Sequence, residues 1–343
     1  MDQNQRKVFW DTLVSLDGKD IEAESEKLKQ AVVYPRYLYR YRPINMKSLD
    51  ALRKNHLYFS TANYYDDPFD TFIHIDLGYI ERVFQSLNDN TDNEQLIDAA
   101  KQFFGFLIPD GFDENAAVNM IQGLKNAFAD SRFHPYVMDF FRNIRNEVKK
   151  EIWSACFSEN AFNETLWLKY AQQHKGFSIQ YDLTKPELLM CGQQDKCENC
   201  GVNKYGFSLY PVYYSDEQYD GTRFAQFVTY KKLFSEWNGM APELKNEMFR
   251  RFAQGFGNVN WERERIALIK KACHQYDEEW RFILNANMNG PVMCEWKPTA
   301  VILGLNMGEA EKGLTVAAAK EAGIENIWQS YIDDQGRLNC GAI

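Results

Sequence analysis

One stretch of the sequence, residues 276–282, restricts the fold most strongly, because charged and aromatic side chains alternate along it. Alternation with a period of two is typical of a β-strand, in which successive side chains point to opposite faces. The pattern predicts one face with Asp277, Glu279 and Arg281 and an opposite face that is mainly aromatic. The second face would carry Tyr276, Glu278, Trp280, Phe282 and Leu284.

The charged face of this predicted strand has two interpretations. Like charges two residues apart repel each other, and a buried carboxylate must either be paired or shift its pKa. The face is therefore a structural ladder of ion pairs or a functional site. As a bare pattern it favours the ladder, because structural ion pairs are common.

Blocks with a strand pattern alternate with long helical blocks along the 343 residues. The helical blocks at about 79–150 and 217–271 carry apolar residues three to four positions apart, whereas the strand blocks are rich in aromatic and β-branched residues. We therefore predict an α+β fold with a central mixed or antiparallel sheet and two large helical insertions. Residues 1–34 are predicted to form an N-terminal helical segment, and residues 35–343 a single α+β domain.

Composition narrows the classes of function. The net charge of −9 argues against a large basic surface for nucleic acid, although it leaves room for a small basic pocket. No stretch of 18 apolar residues occurs and the N-terminus is polar, so we predict neither a membrane span nor a signal peptide. Seven irregularly spaced cysteines favour reduced thiols and a cytoplasmic location.

A group of cysteines offers the clearest metal-ligand spacing. Cys197 and Cys200 are two residues apart and are followed by a glycine, which suits a tetrahedral zinc ion, and Cys191 would be a third ligand. His174, His274 or Cys273 would have to supply the fourth. A surface loop with free thiols is the favoured interpretation, and a structural zinc site is the alternative.

Other catalytic signatures are missing from the sequence. It contains no nucleophile-elbow pattern, no P-loop and no glycine pattern of the dinucleotide-binding type. The early segment Tyr39–Arg42 instead alternates tyrosine with arginine, so a strand would place Arg40 and Arg42 on one face and Tyr39 and Tyr41 on the other. That strand is either an exposed sheet edge or a clamp for a phosphate or carboxylate.

Several separate blocks of the chain together resemble an uncharacterised bacterial family that is defined only as a domain of unknown function. The blocks follow the family's order between about residues 37 and 305, with Asp66 where asparagine is usual and Asp277 where glutamate is usual. Family members tend to be encoded near phage-defence and mobile-element genes, which implies a defence effector or a toxin. The matching blocks are Tyr39–Tyr41, Leu57–Ser60, Asp66–Asp70, Cys156–Glu159, Trp167–Phe177, Lys271 and Asp277–Arg281.

The chain also resembles ADP-ribosyltransferases, which bind NAD in a split mixed sheet. An early arginine, a serine–threonine pair on the next strand and a late acidic-x-Glu motif occur in that order here, and the match implies that Glu279, Asp277 and Arg40 are catalytic. A carboxylate near the ribose would stabilise the positive charge that builds as nicotinamide leaves. The residues that the resemblance implies for NAD binding or support of the site are Tyr39, Tyr41, Arg42, Ser60, Thr61, Asp67 and Arg281.

Two further hypotheses remain open at the level of sequence. A metal-dependent nuclease would use Asp67, Asp70, Glu279 and a lysine, although Trp280–Arg281 stands where that class has its lysine in register. A non-catalytic sensor in a defence system, or a toxin bound by an antitoxin, would need the charged strand only for stability. The sequence does not distinguish a protein acceptor from a nucleic-acid acceptor.

Overall fold

The computed structural model describes residues 1–79, 81, 82, 85, 133–185, 189, 190, 208–236, 246, 250, 259–284 and 293–343. Large parts of both predicted helical insertions lie outside these residues, as do Cys191, Cys197 and Cys200 and hence the predicted zinc site. Within the described part the chain is α+β with a mixed sheet at its centre. The predicted fold class is confirmed at that level.

The helices and strands are numbered here in chain order. The helices are α1 (Gln3–Ser15), α2 (Ile21–Gln30), α3 (Met46–Arg53), α4 (Phe133–Glu151), α5 (Glu164–Tyr170), α6 (Thr222–Glu236), α7 (Glu262–Ala267) and α8 (Glu309–Glu321). The strands are β1 (Tyr37–Arg42), β2 (His56–Tyr58), β3 (Ser60–Thr61), β4 (Trp153–Ser158), β5 (Phe177–Asp182), β6 (Leu189–Met190), β7 (Leu209–Pro211), β8 (Tyr213–Tyr214), β9 (Ile269–Lys270), β10 (Glu279–Leu284), β11 (Met293–Trp296), β12 (Ala300–Leu303), β13 (Asn326–Ile332) and β14 (Leu338–Ala342). None of the described helices is long and apolar enough to cross a membrane.

The main sheet has the order β14-β13-β12-β5-β1-β4-β10-β7, and β3 pairs with β4 beside this path. Strands β12 and β13 are parallel and are connected through α8, whereas the other pairs of this sheet are antiparallel. A parallel pair needs such a crossover, because a short turn can join only antiparallel neighbours. Strands β2, β11 and β6 form a smaller sheet, and β8 pairs with β9.

The sheet buries aromatic side chains on both faces. On one face Tyr181 packs against Trp296 with ring centroids 4.6 Å apart, and Phe157 lies 5.5 Å from Tyr181. On the other face Trp167 of α5 is fully buried and meets Tyr41 edge-on at 5.3 Å. Since α5 covers only part of this second face, the neighbouring region of the sheet is free to form a site.

The N-terminal helix α1 is fastened to the start of β10. Asp2 caps the helix and forms a reciprocal capping box with Gln5. Arg6 is 1% exposed and donates from Nη1 to the carbonyl oxygens of Val212 at 2.7 Å and Glu279 at 2.9 Å. The helix therefore fixes the backbone of Glu279.

The strand prediction for residues 276–282 is wrong at its beginning. Residues Ala272–Asp277 form a 3₁₀-helix, Glu278 adopts a left-handed conformation with φ 45°, and β10 begins at Glu279. Tyr276 is consequently 39% exposed and does not pack with Trp280 on a buried face. Short 3₁₀ turns often precede regular elements, and the alternating pattern gave no sign of this one.

The turn between α5 and β5 is tightly constrained. Gln172, Gln173 and His174 all have positive φ, and the His174 ring stacks on Trp167 at 5.7 Å and 7° between planes. A Cβ on Gly176 would lie 2.2 Å from the carbonyl oxygen of Arg42, so only glycine fits there. This turn thus docks α5 against β1.

Candidate functional site

A cavity of about 770 Å³ lies where the main sheet splits. Strand β1 pairs with β4 at Tyr39 and Ser158, whereas the opposite end of β4 pairs with Ser60 and Thr61 of β3. The space between the second half of β1 and the first half of β4 is therefore not closed by a ladder of hydrogen bonds. The cavity is lined from β1, β4, α5, the segment 60–70 and the segment 270–279, and its size is typical of small-molecule sites.

A buried lysine organises one side of the cavity. The ammonium of Lys270 lies 2.8 Å from Asp277 Oδ2, 2.9 Å from Glu279 Oε2 and 3.4 Å from Asp70 Oδ2. All four residues are at most 8% exposed. The three carboxylates reach one cation from two separate parts of the chain, the turn with Asp70 and the segment 277–279.

Arg281 completes this group from behind. Its side chain is 0% exposed, and it donates from Nε to Glu279 Oε1 at 2.7 Å and from Nη2 to Asp70 Oδ2 at 2.6 Å. A third bond runs from Nη1 to the carbonyl oxygen of Ala267 at 2.6 Å. We call Asp70, Lys270, Asp277, Glu279 and Arg281 the ionic cluster; it contains three carboxylates and two cations.

The pKa values of two carboxylates in the ionic cluster, Glu279 and Asp277, are shifted in opposite directions. Burial alone would raise the pKa of Glu279, but the charges of Arg281 and Lys270 outweigh it and hold that pKa well below its usual value. Burial raises the pKa of Asp277, and attraction to Lys270 offsets this only in part. In the described part of the chain, the buried Oδ1 of Asp277 has no hydrogen-bond partner. Asp277 is thus the carboxylate of the cluster with an unused acceptor atom.

His274 connects the cluster to the mouth of the cavity. Its Nε2 lies 3.1 Å from Asp67 Oδ2, and its Nδ1 lies 3.9 Å from Asp277 Oδ2. Asp67 belongs to the turn that also supplies Asp70, and both line the cavity. The turn and the 3₁₀-helix are therefore held together by ionisable side chains.

The other side of the cavity is positively charged. Tyr39, Ser158 and Glu279 occupy cross-strand positions and share one face, so the side chains of Arg40 and Arg42 lie on the opposite face of β1. Both arginines are among the residues that line the cavity. Arg40 donates from Nη2 to the carbonyl oxygen of Tyr58 at 3.0 Å. Neither arginine has a carboxylate within ion-pair distance among the described residues.

Arg42 remains a cation at neutral pH despite its surroundings. Burial, together with the neighbouring charge of Arg40, lowers the pKa of Arg42 to about 10. Arg42 is half-buried, so its charge loses part of its hydration and gains no carboxylate partner among the described residues. An arginine in this condition is suited to bind an anion that enters the cavity.

The structure brings most of the predicted site residues to one place. The cavity is lined by Tyr39, Arg40, Tyr41, Arg42, Ser60, Asp67, Asp277 and Glu279. Arg281 lies behind Glu279, and Thr61 is buried, bonds to Asn63 and does not line the cavity. No cluster of His, Cys, Asp and Glu suited to a metal ion occurs in the described ranges.

Lys270 was not predicted from the sequence. It lies on the short strand β9, seven positions before Asp277, and the intervening 3₁₀-helix turns the chain so that both side chains meet. A separation of seven is two turns of an α-helix, but Lys270 lies on a strand and Asp277 ends a 3₁₀-helix, so no single period places them together. Asp70 was weighed only for a nuclease, yet it binds Arg281 inside the same cluster.

Comparison with known proteins adds no identification, since no protein-family model, curated protein or solved structure matches the chain.

Proposed function

We propose that the protein is an ADP-ribosyltransferase-like enzyme that uses NAD as its substrate. One observation carries the proposal: two arginines and a carboxylate line one cavity at the split of a mixed sheet. Among the described residues, the arginines have no carboxylate partner and one carboxylate oxygen has no hydrogen-bond partner. NAD has complementary chemistry, because it joins an anionic pyrophosphate to a ribose that carries hydroxyl groups. The bacterial defence or toxin setting is part of the proposal and is supported by the family resemblance alone.

The arginine side would hold the pyrophosphate. Guanidinium groups form paired, charge-assisted hydrogen bonds with phosphate oxygens, and Arg42 has its donors free of side-chain acceptors among the described residues. Arg40 uses Nη2 for the carbonyl oxygen of Tyr58, which fixes its direction while other donors remain. The substrate anion would then supply the counter-charge that Arg42 lacks.

The carboxylate side would act on the ribose. When the bond between C1′ and nicotinamide breaks, nicotinamide leaves with the bonding electrons and positive charge builds on the sugar. A carboxylate that accepts a hydrogen bond from the 2′-hydroxyl stabilises that charge. Asp277 fits this role because no described residue bonds to its Oδ1, whereas both oxygens of Glu279 are bound by Arg281 and Lys270.

This assignment changes the order of importance inferred from sequence. Glu279 becomes a positioning residue that holds Lys270, and Lys270 in turn fixes Oδ2 of Asp277. The acceptor for ADP-ribose bonds to C1′ and loses its proton to a carboxylate of the site. The nuclease hypothesis has less support, because the point at which the three carboxylates converge is filled by the Lys270 ammonium.

The test is NAD turnover by the purified full-length chain, with and without cell extract. Release of nicotinamide and transfer of labelled ADP-ribose are followed by mass spectrometry. We expect Asp277→Asn to lower kcat by about 100-fold or more, the order seen when one charge-stabilising group is lost. Arg42→Gln should instead raise KM by about tenfold, the loss of one charge-assisted hydrogen bond.

Matched controls separate the site from general effects on folding. Arg53→Gln removes an arginine that pairs with Glu321 on the surface, and it should leave turnover unchanged. Thermal unfolding of each variant checks that the fold is retained. The proposal fails if no extract supports NAD turnover; Mg²⁺-dependent cleavage of nucleic acid would then identify a nuclease, and neither activity would leave a binding module.

A further inference from the structure

Exposed aromatic side chains surround the mouth of the cavity. Tyr64 is 76% exposed, Phe69 is 55% exposed, and Tyr170 and Tyr276 are each 39% exposed. Large aromatic side chains are seldom left in water at one place unless the surface binds something. We call these four residues together with Lys169 and Lys271 the aromatic rim.

The two lysines of the aromatic rim are placed against its rings. The ammonium of Lys271 lies 3.8 Å from the ring centroid of Phe69. Lys169 donates from Nζ to the hydroxyl of Tyr276 at 2.8 Å, and its Nζ is 5.3 Å from that ring's centroid. Neither lysine pairs with a carboxylate in the part of the chain that the structure describes.

The aromatic rim is continuous with the candidate site. Lys169 and Tyr170 line the cavity directly, and the Tyr276 ring lies 6.0 Å from that of His274, which also lines it. Phe69 stands next to Asp70 of the ionic cluster in the same turn. A molecule on the rim would therefore be beside a substrate held in the cavity.

We propose that the aromatic rim binds single-stranded nucleic acid and presents it as the acceptor of the transfer, an inference that rests on the proposed function. Stacking on exposed rings and attraction of the phosphate backbone to nearby cations are the two interactions by which proteins bind single strands with little sequence preference. Duplex bases are already stacked and cannot use the rings. The net charge of −9 is compatible with this proposal, because Lys169 and Lys271 lie against rings of the rim and have no carboxylate partner in the described part of the chain.

The proposed transfer forms one bond, breaks one bond and moves one proton. A ring nitrogen, an amino group or a hydroxyl group of the nucleic acid forms a bond to C1′ of the ribose. The bond from C1′ to nicotinamide breaks, and nicotinamide keeps the electron pair. The proton lost by the acceptor passes to a carboxylate of the site, so no further reactant is needed.

Binding is tested by fluorescence anisotropy without NAD, using fluorescein-labelled 12-nucleotide single-stranded DNA, single-stranded RNA and the corresponding duplex. We expect a single strand to bind at least about tenfold more tightly than the duplex. Tyr276→Ala and Phe69→Ala should each weaken single-strand binding by about tenfold, as expected when one base loses its stacking partner. Lys169→Gln and Lys271→Gln should each reduce the slope of log Kd against log salt by about 0.7.

Tyr331→Ala is the matched control, since Tyr331 is 44% exposed but lies on β13 near the edge of the main sheet. The inference is overturned if single strands do not bind, or if Tyr276→Ala binds as tightly as Tyr331→Ala. A chain that turns over NAD and labels a protein, but binds no oligonucleotide, refutes this inference and supports the transferase. A chain that binds single strands but never consumes NAD supports the rim as a binding surface and contradicts the transferase.

Discussion

Replacement of Arg281 by methionine tests whether the ionic cluster is as tightly coupled as its geometry indicates. Arg281→Met keeps a long apolar side chain but removes the guanidinium, which is 0% exposed. Three short hydrogen bonds disappear, to Glu279, Asp70 and the carbonyl oxygen of Ala267. The formal charge of the cluster changes from −1 to −2, because three carboxylates then face Lys270 alone.

The expected cost at pH 7 is about 4 kcal/mol in the free energy of unfolding. Breaking a buried ion pair from one side typically costs roughly 3–5 kcal/mol, because the remaining charge is left buried without its partner. Adding Asp70→Asn to Arg281→Met returns the formal charge to −1. The double variant should recover about 2 kcal/mol, the desolvation cost of one unpaired polar group.

The assay is equilibrium urea unfolding followed by tryptophan fluorescence, for which the buried Trp280 beside Arg281 is a convenient reporter. Arg53→Met is the control, since the pair of Arg53 and Glu321 is solvent-exposed and should contribute less than about 1 kcal/mol. The reasoning is refuted if Arg281→Met costs no more than Arg53→Met. It is also refuted if Asp70→Asn deepens the loss instead of reducing it.

The loss of stability in Arg281→Met should depend on pH. Because the pKa of Glu279 is held low in the folded protein, its contribution to stability is complete above its unfolded pKa of about 4.3 and is lost as pH falls below that value. Arg281→Met removes the main charge that lowers this pKa, so the folded variant takes up a proton at higher pH. The difference in stability between wild type and variant should therefore shrink below about pH 4.3.

Two further predictions concern the cavity and its supporting turn. Burial raises the pKa of Asp277, so this carboxylate should take up a proton at a pH above the ordinary aspartate pKa of about 3.9. As pH falls, NAD turnover should therefore begin to decline before that value is reached. A decline in kcat/KM centred at the ordinary value would contradict this. Gly304→Ala should lower the free energy of unfolding by about 1–3 kcal/mol, because the added Cβ would lie 2.2 Å from the carbonyl oxygen of His174. Gly313→Ala is the control, since that helical position has no neighbour within 4 Å and should be stabilised by about 0.5–1 kcal/mol.

The early arginine strand could be predicted well from sequence. The alternation of tyrosine and arginine in Tyr39–Arg42 predicts a strand, which the structure has at Tyr37–Arg42. Arg40 and Arg42 lie on the face opposite Tyr39, as predicted. Period-two patterning is a local property, because it follows from the geometry of consecutive residues.

The start of β10 shows where local patterning fails. Asp277 and Glu279 look like neighbours on one strand face, yet a left-handed residue at Glu278 separates a 3₁₀-helix from the strand. The two carboxylates still come together, but they do so through the ammonium of Lys270. The prediction that the two carboxylates lie together is therefore right, but the shared strand face on which it was based is not the reason.

The sequence by itself determined the alternation of strands and helices, the arginine face of β1 and the presence of an acidic pair near Arg281. Only the tertiary structure decided that Lys270 binds both carboxylates of that pair and that Asp70 joins them as a third carboxylate. It also decided that, among the described residues, Oδ1 of Asp277 has no partner, and that the sheet splits beside Arg42. The physical reason is the distance along the chain over which each interaction acts. Backbone periodicity is set by neighbours in the chain, whereas a buried charge is balanced by whichever side chains the fold brings within a few ångströms.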